Sequence, residues 1–305
     1  MSSTTSNSKA IDAGAAVTTS RLADYVELTK PRIAVMMLVA VAVSAFVARW
    51  GQPDVWHVLH AVVGVALVAA SASAVNQWLE RTSDGRMDRT SRRPLPAGRL
   101  TSREVLVFAA VTLVAGTIYL LATLRWDTAA WAVGTWVVYV AAYTPLKSRS
   151  EINTAVGAVS GAMPICVGWV AVEGAYDLRM AALFTTMFLW QFPHFMAIAW
   201  LYRRQYEQAG LKMLTVVDPT GRRAGVQAVL AAVALLPVSL IPALFGPAPG
   251  AGWFAALALM LGAAQLACAV IFFAQRNESS ARLLLRASLI YLPAFLGLLM
   301  FVPLA

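Results

Sequence analysis

The sequence predicts an all-helical membrane protein with nine transmembrane helices. Three observations support this fold class: 59% of the 305 residues are hydrophobic, 13% are charged, and the mean hydropathy is +0.67. Soluble domains carry about 25% charged residues, so charge is scarce along this chain. Basic loops on one side of a membrane explain the net charge of +9, so the charge does not require that the protein binds nucleic acid.

Nine apolar runs approach the roughly 17 to 25 residues that a bilayer-spanning helix needs. Where a charge-free run is shorter, polar helix ends at the membrane interface make up the difference. The fourth and fifth runs are separated only by the short segment YTPLKSRSEIN. In chain order the runs begin near Ile33, Val58, Val105, Ala129, Thr154, Met180, Val226, Gly252 and Leu284.

The distribution of basic residues predicts the orientation of these helices. With the amino terminus inside, all but three of the 24 Lys and Arg residues fall in inside segments, the exceptions being Arg49, Arg125 and Arg179. The positive-inside rule therefore favours nine spans with a cytoplasmic amino terminus and an external carboxyl terminus. The two long connections, after the second and sixth spans, are both predicted to be cytoplasmic, which hints at two related halves without a clean sequence repeat.

The chain is expected to consist of a disordered cytoplasmic tail, residues 1–25, and one membrane domain, residues 26–305. The tail is rich in Ser, Thr and Ala and lacks the apolar core of a secretory signal. Cys166 and Cys268 each lie in an apolar run without a CxxC spacing. They are predicted to be buried small residues rather than disulfide partners or zinc ligands.

The first long connection, NQWLERTSDGRMDRTSRRPLPAGR, carries polar side chains at every fourth position, namely Asn76, Glu80, Asp84 and Asp88. If the second helix continues to Asp88, these side chains share one face. Carboxylates at this spacing repel each other unless cations neutralise them. Oxygen-only ligands suit Mg²⁺, which usually takes one or two carboxylates together with substrate phosphates. The alternative is a solvated amphipathic helix whose acids pair with neighbouring arginines.

Basic residues follow these acids directly. Arg92 and Arg93 precede PLPAG, whose prolines and glycine hold a loop in shape. Guanidinium groups bind phosphate oxygens in bidentate fashion, so these arginines are candidate partners of a metal-bound diphosphate. Lys147 is a further candidate. Membrane orientation alone also requires basic loops, and the two explanations are compatible.

The second long connection begins in WQFPHFMAIAWLYRRQYEQAGLKMLTVVD. His194 lies within an apolar span, where a histidine is costly unless it has a partner or faces a cavity. This position makes it a functional candidate, and a hydrogen bond to a neighbouring helix is the alternative. Tyr202, Arg203, Arg204 and Gln205 follow at the end of that span.

These segments, with LTKPRI and YTPLKSRSEINTAVGAVSGAMP, resemble the UbiA-type intramembrane prenyltransferases. The block from PHF to ML resembles the haem branch of that family, the protohaem IX farnesyltransferases. The resemblance implies nine helices around a central cavity that opens to the cytoplasm, in a bacterial inner membrane. It implies transfer of the farnesyl group of farnesyl diphosphate to a vinyl group of haem B, giving haem O for haem A and terminal oxidases. An aromatic or quinone-precursor acceptor is the alternative, and a transporter is the alternative from another class.

The resemblance also implies a site. Asn76, Glu80 and Asp84 fall on the catalytic metal positions and Asp88 on the acidic position four residues later, so all four are implied metal ligands, and Mg²⁺ there would hold the diphosphate. The implied partners are farnesyl diphosphate, haem B and the lipid bilayer, with a haem A synthase or oxidase assembly partner possible. The implied substrate-binding residues are Arg92, Arg93, Lys147, Arg203, Arg204, Tyr202, Gln205 and, for haem, His194.

Two positions depart from the family pattern. Glu80 stands where the family usually has Asp, so the carboxylate is kept on a longer stem. Gln205 stands where the second motif usually has Asp or Glu, and a neutral amide is a weaker Mg²⁺ ligand. If a second metal is bound, Glu207 or Asp218 is an alternative ligand to Gln205.

Overall fold

The structure is a computed structural model that describes residues 20–50, 52, 54–245 and 248–301. The described residues form helices and turns without any strand. A π-helical turn, Val138–Tyr143, joins α5 to α6, and a 3₁₀ turn, Ile241–Leu244, extends α11. The helices are α1 (Arg21–Leu28), α2 (Pro31–Ala48), α3 (Val55–Asp84), α4 (Ser102–Thr123), α5 (Trp126–Val137), α6 (Thr144–Leu146), α7 (Asn153–Ala171), α8 (Leu178–Leu201), α9 (Arg203–Gln208), α10 (Leu214–Val217), α11 (Arg222–Leu240), α12 (Ala248–Gln275) and α13 (Glu278–Phe301).

Nine helical segments in the described part of the chain are long and apolar enough to cross a membrane. They are α2, α3, α4, the continuous segment Trp126–Leu146, α7, α8, α11 with its 3₁₀ turn, α12 and α13. The predicted number of spans and their order are confirmed. The fourth and fifth spans are separate helices, joined by the short turn between α6 and α7.

Helix α3 ends four residues earlier than predicted, because Asp84 is its last residue. The expectation of one helix continuing to Asp88 is therefore wrong. Gly85 follows, and the chain folds back so that the Thr90 hydroxyl donates a hydrogen bond to the Asp84 carbonyl at 2.8 Å. Arg93 binds the Asp84 carboxylate at 2.6 Å. These loop contacts replace the next helical turn and leave Asp88 exposed.

The predicted disordered tail is corrected at its end. Residues 1–19 lie outside the described residues, but Arg21–Leu28 is helix α1 rather than part of a disordered segment. Ser20 caps this helix, and Arg21 forms an ion pair with Glu104 of α4. Arg99 also binds Glu27 at 2.6 Å. Such contacts between distant segments order α1, and the local sequence does not reveal them.

Helix α7 is the most enclosed of the nine spans, and small residues allow this burial. A Cβ atom on Gly168 would lie 2.0 Å from the Val41 carbonyl oxygen of α2, so only glycine permits this close helix crossing. Cys166, on the same helix, is buried and free, and Cys268 of α12 is half-buried and free. Both cysteines thus behave as small packing residues, as predicted.

Both long connections lie at one end of the bundle, which we call the site end. The Lys212 N–H, after α9, donates to the Lys147 carbonyl, after α6, at 2.7 Å. Arg89, after α3, donates to the Tyr206 hydroxyl of α9 at 3.2 Å. These contacts bring the segments after α3, α6 and α8 together around the end of α3.

Candidate active site

Helix α3 carries three of the predicted ligand residues to the site end. Asn76, Glu80 and Asp84 lie about 40° apart on successive turns. All three are enclosed: Asn76 is fully buried, and the side chains of Glu80 and Asp84 are 11% and 2% exposed. The Asn76 amide donates to the Thr144 hydroxyl at 3.0 Å, which fixes α3 to α6. The result is one amide and two carboxylates in a place where unpaired charge is costly.

Basic side chains from other segments neutralise both carboxylates. Lys147 Nζ lies 2.6 Å from Glu80 Oε1 and 4.5 Å from the centre of the Tyr143 ring. Arg93 Nη1 donates to Asp84 Oδ2 at 2.6 Å. Two of the predicted phosphate-binding residues are thus brought directly onto the predicted metal ligands.

Lys30 completes this arrangement, although the sequence analysis did not assign it a role. It lies between α1 and α2 in a left-handed backbone conformation, with φ of 53°. Its ammonium group donates to Asn76 Oδ1 at 2.5 Å. Gln77 fixes this junction by donating to the Leu28 carbonyl at 2.8 Å. Burial lowers the pKa of Lys30 to about 7, and the nearby Arg93 guanidinium lowers it as well. In the sequence, only the position of Lys30 in LTKPRI, directly before an apolar run, could have indicated a role for it.

Two aromatic side chains beside Lys147 were not predicted to belong to the site. Tyr139 and Tyr143 lie in the π-helical turn with ring centres 5.4 Å apart. The Thr144 hydroxyl donates to the Tyr139 carbonyl at 2.8 Å, which satisfies a backbone group within this irregular turn. π-Helical turns are frequent at functional sites, and no local sequence feature announced this one.

The second connection contributes aromatic and neutral groups. Arg89 lies over the rings of Tyr202 and Tyr206, 4.6 and 5.7 Å from their centres. Tyr202 is therefore placed against the first connection. Gln205 Oε1 is buried, and within the described part of the chain it has no hydrogen-bond partner. The amide that replaces the expected acid is thus enclosed, with a free carbonyl oxygen.

Neither alternative acid takes the place of Gln205. Glu207 is exposed on α9. The Asp218 carboxylate caps the start of α11, accepting from the Thr220 hydroxyl at 2.5 Å and from the Arg223 N–H at 2.8 Å. These hydrogen bonds, that of Thr220 first, hold the pKa of Asp218 below its ordinary value.

Four predicted site residues lie apart from these contacts. Asp88, Arg92 and Arg204 are exposed. Arg203 donates to the Trp200 carbonyl at 2.7 Å, and its guanidinium lies 4.4 Å from the centre of the Trp200 ring. Adjacent arginines therefore differ: Arg93 binds Asp84 while Arg92 points to the surface.

His194 lies on α8 against α13. Its Nδ1 is 2.9 Å from the Ser288 hydroxyl oxygen, and its ring stacks on Trp190. The Ser288 hydroxyl itself donates to the Leu285 carbonyl at 2.7 Å. The alternative that the sequence left open, a hydrogen bond to a neighbouring helix, is therefore present.

The donor set fits a hard cation. Among the described residues, no three His, Cys, Asp or Glu side chains gather as a metal site of their own. The available donors are the Asn76 amide oxygen and the carboxylates of Glu80 and Asp84. Oxygen donors of this number suit Mg²⁺ completed by water and phosphate oxygens, and they do not suit zinc.

Comparison with known proteins agrees with these features. The chain matches the UbiA prenyltransferase family over residues 36–299. It is 39% identical over 286 residues to protohaem IX farnesyltransferase of Solibacter usitatus, covering 91% of this chain and 97% of that protein. It is 42% identical over 289 residues to the enzyme of Koribacter versatilis, covering 92% and 93%.

The fold is also similar to that of a solved structure. A UbiA homolog from Archaeoglobus fulgidus bound to GPP and Mg²⁺ superposes with a TM-score of 0.68 at 16% identity, over 92% of this chain and 100% of that one. At this identity the likeness concerns the fold alone. The family match and the sequence relatives establish that the chain belongs to the UbiA prenyltransferase family and, within it, to the protohaem IX farnesyltransferases.

Proposed function

We propose that this prenyltransferase moves the farnesyl group of farnesyl diphosphate to a vinyl group of haem B, giving haem O. The observation that carries the proposal is the set of Asn76, Glu80 and Asp84, two of them buried and Glu80 largely enclosed, surrounded by basic side chains. A diphosphate and a divalent cation together require both kinds of charge. The activity named for the relatives from Solibacter usitatus and Koribacter versatilis supports the choice of substrates.

The proposed cofactor is Mg²⁺, held by Asn76, Glu80 and Asp84. Bound there, the ion would neutralise charge on the departing diphosphate. The Mg²⁺ bound to the Archaeoglobus fulgidus homolog supports this choice. Asp88 also stays in the proposed metal site, although its side chain is exposed. Lys147 and Arg93 are proposed to bind phosphate oxygens, to which guanidinium and ammonium groups are well suited.

The protein's own residues would promote breakage of the bond between the allylic carbon and the diphosphate oxygen. The bonding electron pair leaves with the diphosphate, and Lys147 and Arg93 stabilise the negative charge that develops. The faces of Tyr139 and Tyr143 can stabilise the positive charge on the farnesyl carbon. The vinyl group of haem B then attacks that carbon, and water adds to the resulting cation with loss of a proton.

His194 is proposed to position haem B. The Ser288 hydroxyl donates to Leu285, so Ser288 accepts a hydrogen bond from His194 Nδ1–H, and Nε2 of that tautomer keeps a free lone pair. Arg92, Arg203, Arg204, Tyr202 and Gln205 stay proposed substrate-binding residues.

The proposed location is a bacterial inner membrane with the site end and the amino terminus in the cytoplasm. The excess of basic residues in the loops at the site end supports this orientation. An interaction with a haem A synthase or with an oxidase assembly protein stays a prediction.

The purified protein in detergent tests the reaction directly. It is incubated with farnesyl diphosphate and Mg²⁺ and either haem B or 4-hydroxybenzoate, and products are separated by chromatography. We expect haem O from haem B, and no product from the phenol. Prenylation of 4-hydroxybenzoate with haem B left unchanged would instead support the aromatic-acceptor alternative.

A further inference from the structure

The five charged side chains at the end of α3 carry a surplus positive charge. Lys30, Lys147 and Arg93 each lie on one of three side chains from successive turns of α3, namely Asn76, Glu80 and Asp84. We call the five charged residues among these the charge cluster. Three are basic and two are acidic, so the cluster has a net charge of one positive unit when all five groups are ionised, the state that an adjacent diphosphate anion favours. The acids are nearly inaccessible, and Lys147 and Arg93 are 15% and 25% exposed, so solvent compensates this surplus poorly.

The second connection adds no negative charge to the cluster. Gln205 presents a neutral, enclosed carbonyl oxygen. Glu207 is exposed, and the Asp218 carboxylate accepts hydrogen bonds at the start of α11.

Charge balance then limits how many metal ions the site can take. Farnesyl diphosphate carries about three negative charges at neutral pH, two of them on its terminal phosphate. One Mg²⁺ reduces this to one negative unit, which matches the single positive unit of the cluster. A second Mg²⁺ would leave a net charge of two positive units in an enclosed place, which is strongly unfavourable.

We propose that this site binds one divalent cation per diphosphate, and that Lys30, together with Lys147 and Arg93, supplies the positive charge that a second metal ion would otherwise supply. The inference rests on the proposed metal–diphosphate function of the same site. Lys30 would act on the diphosphate directly, and Gln205 would offer only a neutral oxygen.

The present contacts of the three cations have a further consequence. Lys30, Lys147 and Arg93 each lie on one of the oxygen groups that would hold the metal. A metal ion alone must displace these cations without offering them another partner. A diphosphate offers them phosphate oxygens, so metal and diphosphate are expected to bind cooperatively.

Metal binding to the full-length protein in detergent tests this proposal without any need for turnover. Mn²⁺ is used as the paramagnetic probe, and bound Mn²⁺ is counted by equilibrium dialysis and by electron paramagnetic resonance, with and without inorganic diphosphate. We expect one bound Mn²⁺ per protein with diphosphate and at least about tenfold weaker binding without it. Two bound ions with a spin-coupled spectrum would overturn the one-metal inference while leaving the proposed function intact. No bound Mn²⁺ with diphosphate present would overturn the proposed metal–diphosphate site itself.

A matched pair of variants tests Lys30. Lys30→Gln keeps a donor for Asn76 but removes the charge, and Arg32→Gln makes the same change at an exposed position two residues away. We expect Lys30→Gln to weaken binding of Mn²⁺ with diphosphate about tenfold, and Arg32→Gln to change it less than about twofold. Equal effects of the two variants would overturn the role of Lys30. Thermal unfolding of both proteins separates this outcome from loss of the fold.

Discussion

The two long connections at the site end have similar positions but different chemistry. Before the first one, α3 presents buried Glu80 and Asp84, each paired with a basic side chain. The second presents aromatic rings, the neutral Gln205, Arg203 stacked on Trp200 and an exposed Arg204. The predicted relation between two halves therefore does not extend to equal ligand sets. Charge pairing, rather than loop length, indicates which connection is the better candidate for the proposed metal site.

The local backbone explains part of this difference. Helix α3 continues without interruption to Asp84, so side chains four residues apart stay on one face. Helix α8 ends at Leu201 and α9 starts at Arg203, so the second connection is interrupted at Tyr202. Arg203 then stacks on Trp200 of the preceding helix. The interruption separates residues that a single helix would have aligned.

The largest effect is expected at Asp84. Asp84→Asn keeps the shape of the side chain but removes the charge that faces Arg93, and farnesyl transfer should fall by on the order of 100-fold or more. Asp88→Asn is the comparison variant: Asp88 also belongs to the proposed metal site, but it lies four residues later and is exposed. We therefore expect the smaller loss there, at most about threefold. Haem O formation measures the activity of both variants. Equal losses would show that Asp88 contributes to the site as much as Asp84 does.

A large effect on stability is expected at Lys147. Lys147→Met removes the cation that lies 2.6 Å from the enclosed Glu80 carboxylate, while Lys30 and Arg93 stay nearby, so it should lower the free energy of unfolding by about 1 to 3 kcal/mol. Lys147→Met combined with Glu80→Gln should recover much of that loss, because no buried charge remains unpaired. Thermal unfolding in detergent of the wild type, the two single variants and the double variant measures these losses. Additive losses in the double variant would contradict the ion pair.

A smaller effect is expected at Gln205, because the site already holds its charge in the first connection. Gln205→Ala removes one neutral oxygen, and we expect a loss of farnesyl transfer of at most about tenfold. Gln208→Ala on the same helix is the matched control, since Gln208 is exposed. A loss at Gln205 as large as that at Asp84 would show that the second connection is an equal partner in catalysis.

The smallest effect is expected at Arg203. Arg203 stays a proposed substrate-binding residue, but its guanidinium lies over Trp200, so we expect Arg203→Ala to raise the KM for farnesyl diphosphate by at most about threefold. Arg93→Ala should raise the same KM by about tenfold or more, because Arg93 lies on the Asp84 carboxylate. Steady-state kinetics compares the two. A larger increase of the KM for Arg203→Ala than for Arg93→Ala would show that the second connection binds the diphosphate.

Much of the fold and part of the site followed from local features of the sequence. The length of apolar runs predicted nine spans, because a bilayer of fixed thickness demands helices of a minimum length. The spacing of four between Asn76, Glu80 and Asp84 predicted a shared helical face, because the geometry of an α-helix is independent of its surroundings. Both features are decided within one segment, and the structure has both.

Only the tertiary structure decided which charged residues meet. Lys30 is 46 residues from Asn76 in sequence, and no local pattern predicts their 2.5 Å contact. Arg92 and Arg93 are chemically identical, yet one is exposed and the other binds Asp84, because the fold of the loop orients them differently. A side chain's partner is set by every segment packed around it, whereas a helix is set mainly by its own residues. The sequence therefore indicated the proposed ligand residues of α3, and the packing of distant segments selected the cations that accompany them.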